Sequence, residues 1–313
     1  MDKYVFGVDL GGTTVKLGLF TVSGTLLDKW EIVTRTENGG EHIIPDISAA
    51  LEEKMAEKGI SAEQVIGAGL GVPGAVLEDR YVEPCVNLNG WGGDVAQKLS
   101  DRCGFPVKAL NDANAAALGE MWLGGGKGHK NVVFVTLGTG VGGGIIINGK
   151  LLSGVHGSGG EIGHLKVNPH ETIACGCGKK GCLEQYASAT GIVRKAKELL
   201  SESDKPSALR AFENVSAKNV FDCAKTGDAL AMEVVTFFGR TLGRALACIS
   251  CVCDPEIFVI GGGVSAAGEI ILDTLRQVFV ENAFPPTEGT AFALASLGND
   301  AGICGAARMV CEE

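Results

Sequence analysis

At 313 residues the chain is long for one hydrophobic core, and two domains are expected. Its 45% hydrophobic and 20% charged content is that of an ordinary globular protein, while a net charge of −10 with no basic stripe argues against nucleic acid as a partner. No apolar run reads as a membrane span, MDKYVFGVDL is not a signal peptide, and eleven cysteines, an odd number in a large chain, point to a reducing cytoplasm.

The first element is a hairpin, VFGVDLGGTTVKLGLFTVSGTLL (5–27): an apolar strand, a Gly/Thr turn, a second apolar strand and a closing Leu-Leu. It begins so early that no N-terminal DNA-binding module is expected. Residues 42–59 have helical periodicity, and VIGAGLGVPGAV (65–76) reads as a buried strand entering a Gly-Pro loop. An amphipathic helix ended by Gly follows over 94–104, then a strand at 105–110 and an Ala-rich helix over 113–125. VVFVTLGTGVGGGIIINGKLL (132–152) repeats the opening hairpin, which predicts two related α/β halves. Helices are expected in 189–201, 206–213, 216–226 and 228–250, with SESDKPS (201–207) a surface loop of the second domain. PEIFVIGGGVS (255–265) is a strand opening into a Gly loop, 267–283 a helix, and 295–311 a strand end with a closing helix. This alternation predicts two mixed α/β domains with a cleft between them. Cys248, Cys251 and Cys253 in an apolar stretch read as small buried hydrophobes in preference to a second metal or redox site.

Three Gly-rich turns follow apolar strands. Asp9-Leu-Gly11-Gly12-Thr13-Thr14 offers close backbone approach and hydroxyl donors to a phosphate, and Lys16 adds a positive charge. Residues 137–144 repeat that chemistry with Thr139 and Gly140, and Gly261 to Gly263 form the third turn, with Gly262 and Gly263 facing the same task. None matches a P-loop or a dinucleotide fingerprint. Asp9 is the natural residue to meet Mg²⁺ through water.

Between GGEIGH (159–164) and CGCGKKGCLEQYAS (175–188), His164, Cys175, Cys177 and Cys182 supply one imidazole and three thiolates, a closed tetrahedral set for structural Zn²⁺. The alternative is three reduced cysteines and an unrelated histidine in a Gly-rich loop. Asn111 and Asp112 end a strand, where residues of open α/β sheets face the ligand crevice. Asp112 there is either a base for a hydroxyl proton or the N-cap of the next helix. Glu161, His164 and Glu184, with Asn111 and Asp112, would suit a polyhydroxylated ligand. Read singly, Glu161 is a loop charge and Glu184 a helix-start acid.

Taken together, DLGGTT, LGTGVGGG with GGEIGH, and CGCGKKGCLEQYAS resemble the motifs of the ROK family, and within it the bacterial glucokinases. GVPG (71–74), NLNGW (87–91), NDANAAALGE (111–120) and FVIGGGVS (258–265) stand in family order, so the resemblance spans essentially the whole chain. It implies an α/β, actin-like fold of the hexokinase and Hsp70 type, with residues 1–112 and the helix from about 300 in one domain and 113–299 with the knuckle in the other. It implies ATP-dependent phosphorylation of glucose or, alternatively, of N-acetylmannosamine, fructose or allose. Asp112 would be the general base. Gly74, Asn87, Asn111, Glu161, His164 and Glu184 would hold the sugar, and Gly12, Thr13, Thr139, Gly140 and Gly262 the nucleotide. The implied cofactors are ATP, Mg²⁺ and structural Zn²⁺, and the implied assembly a homodimer or homotetramer. The family also contains sugar-binding repressors, a reading that an intact base at Asp112 opposes.

Overall fold

The computed structural model describes residues 2–85 and 88–311. The chain opens with an antiparallel meander, β1 (Tyr4–Leu10), β2 (Thr14–Thr21) and β3 (Leu26–Val33). A helical turn α1 (Glu37–Gly40) and helix α2 (Ile43–Lys58) lead to β4 (Val65–Val72), which pairs parallel with β1. Next come a small antiparallel sheet of β5 (Val76–Leu77), β6 (Tyr81–Cys85) and β7 (Trp91–Asp94), then α3 (Val95–Cys103) and β8 (Val107–Asn111), parallel to β4. The first large sheet is therefore ordered β3-β2-β1-β4-β8.

After α4 (Asp112–Leu123) the plan recurs. The meander β9 (Val132–Leu137), β10 (Val141–Ile147) and β11 (Lys150–Leu151) is followed by helices α5 (Glu184–Ala187), α6 (Ala189–Glu202), α7 (Ala217–Lys225) and α8 (Ala229–Cys253). Strand β12 (Ile257–Gly261) pairs parallel with β9, and past α9 (Glu269–Asn282) strand β13 (Ala291–Leu294) pairs parallel with β12. The second sheet, β11-β10-β9-β12-β13, has the same strand order as the first, so the two halves are related as the repeated hairpin predicted, though the order itself was not expected. The last helix, α10 (Ala301–Cys311), returns to pack on β1, β4 and α4. It crosses α4 so closely that a Cβ on Gly305 would overlap the Ala115 carbonyl.

The central strands β1, β4, β9 and β12 are covered on both faces and so are near-continuously apolar, whereas the edge strand β3 alternates and carries Asp28, Lys29 and Glu31. Val5, Phe6 and Val8 of β1 are all buried, and Phe6 stacks on Phe105 at 6.1 Å. In the second half Phe258, Phe279 and Phe292 form a cluster with ring centroids 5.2 to 5.5 Å apart.

Four local expectations change. The closing Leu-Leu of the first hairpin opens a third strand, β3. Residues 206–213 hold only a 3₁₀ turn, Ala208–Ala211. Cys248 and Cys251 are exposed, because α8 buries Ala245, Leu246 and Ile249 and its 3.6-residue period turns 248 and 251 outward. The same helix has a mean hydropathy of 1.3 over its most apolar window and is long enough to cross a membrane; 61% of that window is buried in the second core.

Candidate active site

A cleft of about 800 Å³ is lined from both halves of the fold. Asp9 and Lys16 are direct partners across the β1–β2 ladder, which sets their side chains on one face. Burial is the main influence pushing the Asp9 carboxyl up; the nearby Asp112 charge adds to it, and Lys16 opposes it. The start of α10 abuts this acid: a Cβ on Gly302 would lie 2.6 Å from Asp9 Oδ2, so glycine alone leaves the carboxylate its place.

Asn111 ends β8 and caps α4. Its Oδ1 accepts the Ala113 and Asn114 N–H groups at 3.0 and 3.2 Å, and its Nδ2 donates to the Gly74 carbonyl at 3.1 Å. The N-cap role that the sequence left open for Asp112 thus falls to Asn111. Asp112 is the first helical residue, and its side chain opens to the cleft while accepting the Ala113 N–H at 2.8 Å. Protein atoms crowd the carboxyl and push its pKa up, and its hydrogen bonds pull the other way. Because the group still meets solvent in the cleft, it is a partly desolvated carboxylate in a concave wall.

The opposite wall carries Gly140, Glu161 and Glu184. Glu184 Oε2 accepts the Val141 N–H at 3.1 Å, and Oε1 lies 3.3 Å from Cys175 Sγ. A Cβ on Gly140 would collide with this carboxylate. His164 turns Nδ1 toward Cys175 Sγ at 3.9 Å and Nε2 toward Glu161 Oε2, also at 3.9 Å. The ligand atoms of His164, Cys175, Cys177 and Cys182 lie within 4.8 Å of one another. Cys177 Sγ and Cys182 Sγ are 3.7 Å apart. A tetrahedron with Zn–S bonds of about 2.3 Å has an edge of about 3.8 Å, so the donor set fits Zn²⁺. Gly178 and Gly181 take φ of 78° and 75°, which lets the knuckle turn back on itself. Lys166 Nζ donates to Cys182 Sγ at 3.0 Å and offsets thiolate charge.

A second cavity of about 500 Å³ adjoins the cleft through Gly138, which lines both. Thr139 and Gly263 line it, and Phe221, Val264, Ala266 and Ala267 make it mostly apolar, a shape suited to a flat heterocycle. The Gly138–Gly140 turn between the two cavities is braced by Ala189 N–H on the Gly138 carbonyl at 2.8 Å and Thr190 Oγ1 on the Thr139 carbonyl at 2.9 Å. Gly262 packs on the Leu137 backbone beneath.

The structure thus gathers Asp9, Lys16, Gly74, Asn111, Asp112, Gly140, Glu161 and Glu184 in one cleft, and Thr139 and Gly263 in the adjoining cavity. Gly11, Gly12, Thr13, Thr14, His164 and Gly262 line neither, and Asn87 lies outside the described residues. The loop over 11–14 is instead tied to the end of β3 by Thr34, which donates from Oγ1 to the Gly11 carbonyl at 2.7 Å. Sequence reasoning missed Glu83 and Asn299 in the cleft and Ser216, Lys218 and Asp222 in the second cavity. Ser216 carries a capping-box pattern, which signals a helix start and nothing more. Five carboxylates, Asp9, Glu83, Asp112, Glu161 and Glu184, face a single lysine in the cleft. A polyphosphate entering there needs a divalent cation to offset that charge, and Asp9 suits Mg²⁺.

The family model described as ROK family matches residues 5–313. A glucokinase of Halalkalibacterium halodurans is 43% identical over 314 residues, covering 99% of this chain and 95% of that protein. A glucokinase of Thermotoga maritima is 39% identical, covering 98% and 97%. Among solved structures, a ROK family glucokinase from Streptomyces griseus in complex with glucose and AMPPNP superposes with a TM-score of 0.74 at 34% identity, covering 98% of each chain.

Proposed function

The chain belongs to the ROK family, and on that premise we propose that it is a glucokinase, moving the γ-phosphoryl group of ATP to the 6-hydroxyl of glucose with Asp112 as general base. The observation that carries the base assignment is the division of labour at the β8–α4 junction: Asn111 caps the helix, so the Asp112 carboxylate is left facing the cleft. As the hydroxyl attacks, the O–H proton passes to Asp112, the new O–P bond forms, and the bond between the β,γ-bridging oxygen and the γ-phosphorus breaks to release ADP. Asp9, through water, is the residue to hold Mg²⁺, which supplies neutralising charge on the phosphates. Lys16, across the ladder from Asp9, adds a positive charge to the phosphate side of the cleft.

Glu161 and Glu184 hold the ring hydroxyls from the cleft wall, with His164, outside the lining and 3.9 Å from Glu161 through Nε2, joining them as the cleft closes, and Asn111 and Gly74 shape the wall beneath. The Zn²⁺ knuckle acts as scaffold, since four protein ligands leave no open position. Thr139 and Gly263 belong to the adenosine side, in the apolar cavity beyond Gly138. Residues 1–112 with the C-terminal helix, and 113–299, are the two bodies whose closure on sugar excludes water from the reaction. The same reading includes a homodimer or homotetramer in the cytoplasm, with neither nucleic acid nor membrane as partner.

The test is product analysis and kcat/KM with ATP across glucose, N-acetylmannosamine, fructose, allose and 6-deoxyglucose. Glucose should lead and 6-deoxyglucose should give no product. A clear lead for another hexose would overturn the glucose assignment alone. Failure with every hexose would overturn the kinase reading.

A further inference from the structure

A separate cavity, of about 710 Å³, shares no lining residue with the cleft. Lys108 on β8, Lys130 just before β9, Lys150 on β11 and Arg308 on α10 line it, with Asp79 as the one acid among the described residues. This is the reverse of the acidic cleft, in a chain whose net charge is −10. Lys108, Lys130 and Lys150 make no ion pair among the described residues. Lysines gathered around one concavity without partners repel one another, a cost that a bound anion removes. The cations stand on three elements and a loop, well apart in sequence, which favours a ligand charged at more than one end. Trp122, under the Arg308 guanidinium at 5.8 Å, gives the floor an apolar face.

We propose that this cavity binds a small hydroxylated metabolite carrying two phosphate groups, the phosphates on the lysines and the carbon skeleton against Trp122. Its position gives such a ligand a route to the active site. β8 is one edge strand of the first sheet and β11 one edge strand of the second. The cavity touches β8, β11 and the far end of α4, and β8 and α4 meet at Asn111 and Asp112. The solvated lysines of an ordinary surface would lack the enclosing volume and the aromatic floor.

The experiment is calorimetric titration of the full-length zinc-loaded protein with fructose 1,6-bisphosphate, with glucose and AMPPNP saturating the cleft. Saturable binding of one equivalent per chain is expected, weakening as salt rises. The double variant Lys130→Gln, Lys150→Gln should bind at least about tenfold more weakly, having lost two charge-assisted contacts, while its glucose phosphorylation stays as in the parent and its ligand-free melting temperature does not fall, since the like charges no longer repel. Three outcomes would overturn the proposal: no saturable binding, equal binding by the folded double variant, or full competition by sulfate at the same concentration.

Discussion

Glu184 and Cys175 couple the cysteine knuckle to the Gly-rich turn of the second hairpin. One carboxylate oxygen of Glu184 lies 3.3 Å from Cys175 Sγ, and the other accepts the Val141 N–H at 3.1 Å. Anything that shifts the knuckle therefore shifts both an acid of the cleft and the wall at Gly140. Glu184→Gln keeps an oxygen for Val141 but loses the charge offered to a sugar hydroxyl. We predict a rise in glucose KM of about tenfold or more, in line with a charged hydrogen bond being worth about 1.5–3 kcal/mol. ATP KM should move less, and one zinc per chain should remain. Steady-state kinetics with elemental analysis checks this, and an equal rise in both KM values would count against it.

Asp112→Asn is expected to fold and to bind glucose, because Asn111 and not Asp112 caps α4. Asparagine is nearly isosteric but cannot take the hydroxyl proton, so kcat should fall by about 10²–10⁴. The comparison is kcat against glucose affinity measured by titration. Near-normal turnover would remove Asp112 from the base role.

Zinc removal should act on sugar before nucleotide. The knuckle contacts the cleft through Glu184 and, by way of His164, Glu161, whereas the apolar cavity lies on the far side of Gly138. Structural zinc can supply on the order of 10 kcal/mol to a small site, so the loop depends on it. Cys177→Ser is predicted to lose the metal, to weaken glucose binding strongly and to leave AMPPNP binding less affected. Metal analysis and two separate titrations measure it. A zinc-free parent protein with normal glucose binding would defeat the claim.

Much of this was legible in the sequence where a local pattern carries its own geometry. The repeated hairpin foretold two related halves, which the shared strand order bears out, and the motif of His164 with Cys175, Cys177 and Cys182 foretold the cluster whose ligand atoms lie within 4.8 Å. The small sheet of β5, β6 and β7 escaped because β5 has two residues and β6 shows only an irregular burial pattern. The residues of the second cavity escaped for another reason. Ser216, Lys218 and Phe221 lie on a well-capped helix whose sequence reads fully as helix. Only the tertiary approach of α7 to Gly263 makes them a wall. The same holds for Gly302, whose missing side chain matters only because Asp9 sits against it.

Burial raises the carboxyls of both Asp9 and Asp112, and this sets two signs. The base must be ionised, so the acid limb of kcat/KM should lie above the ordinary aspartate value of about 3.9. A raised folded-state pKa means that ionisation costs the fold stability above that value. Asp112→Asn should therefore melt higher than the parent at neutral pH, and the difference should shrink as pH falls below the raised value and vanish near the ordinary one. Paired melting curves across pH, with zinc retention monitored, test this. A mutant that melts lower than the parent at neutral pH would contradict it.

Glu120 is fully buried and takes no part in the chemistry, yet it joins α4 to the segment after β13. Its carboxylate accepts the N–H groups of Gly125 at 2.8 Å, Ser296 at 3.0 Å and Leu297 at 2.9 Å. Three backbone donors thus depend on one side chain. Glu120→Ala removes every acceptor at once and opens a cavity, while an unsatisfied buried donor alone costs about 1–3 kcal/mol. We predict a loss of at least about 3 kcal/mol in unfolding free energy for Glu120→Ala. Glu120→Gln should lose less, since its carbonyl oxygen still serves one or two of the donors. Urea denaturation midpoints measure both variants, and kcat of the folded fraction should be largely kept, because Glu120 does not line the cleft. Midpoints equal to the parent's would show that water or a shifted backbone satisfies these donors without the carboxylate.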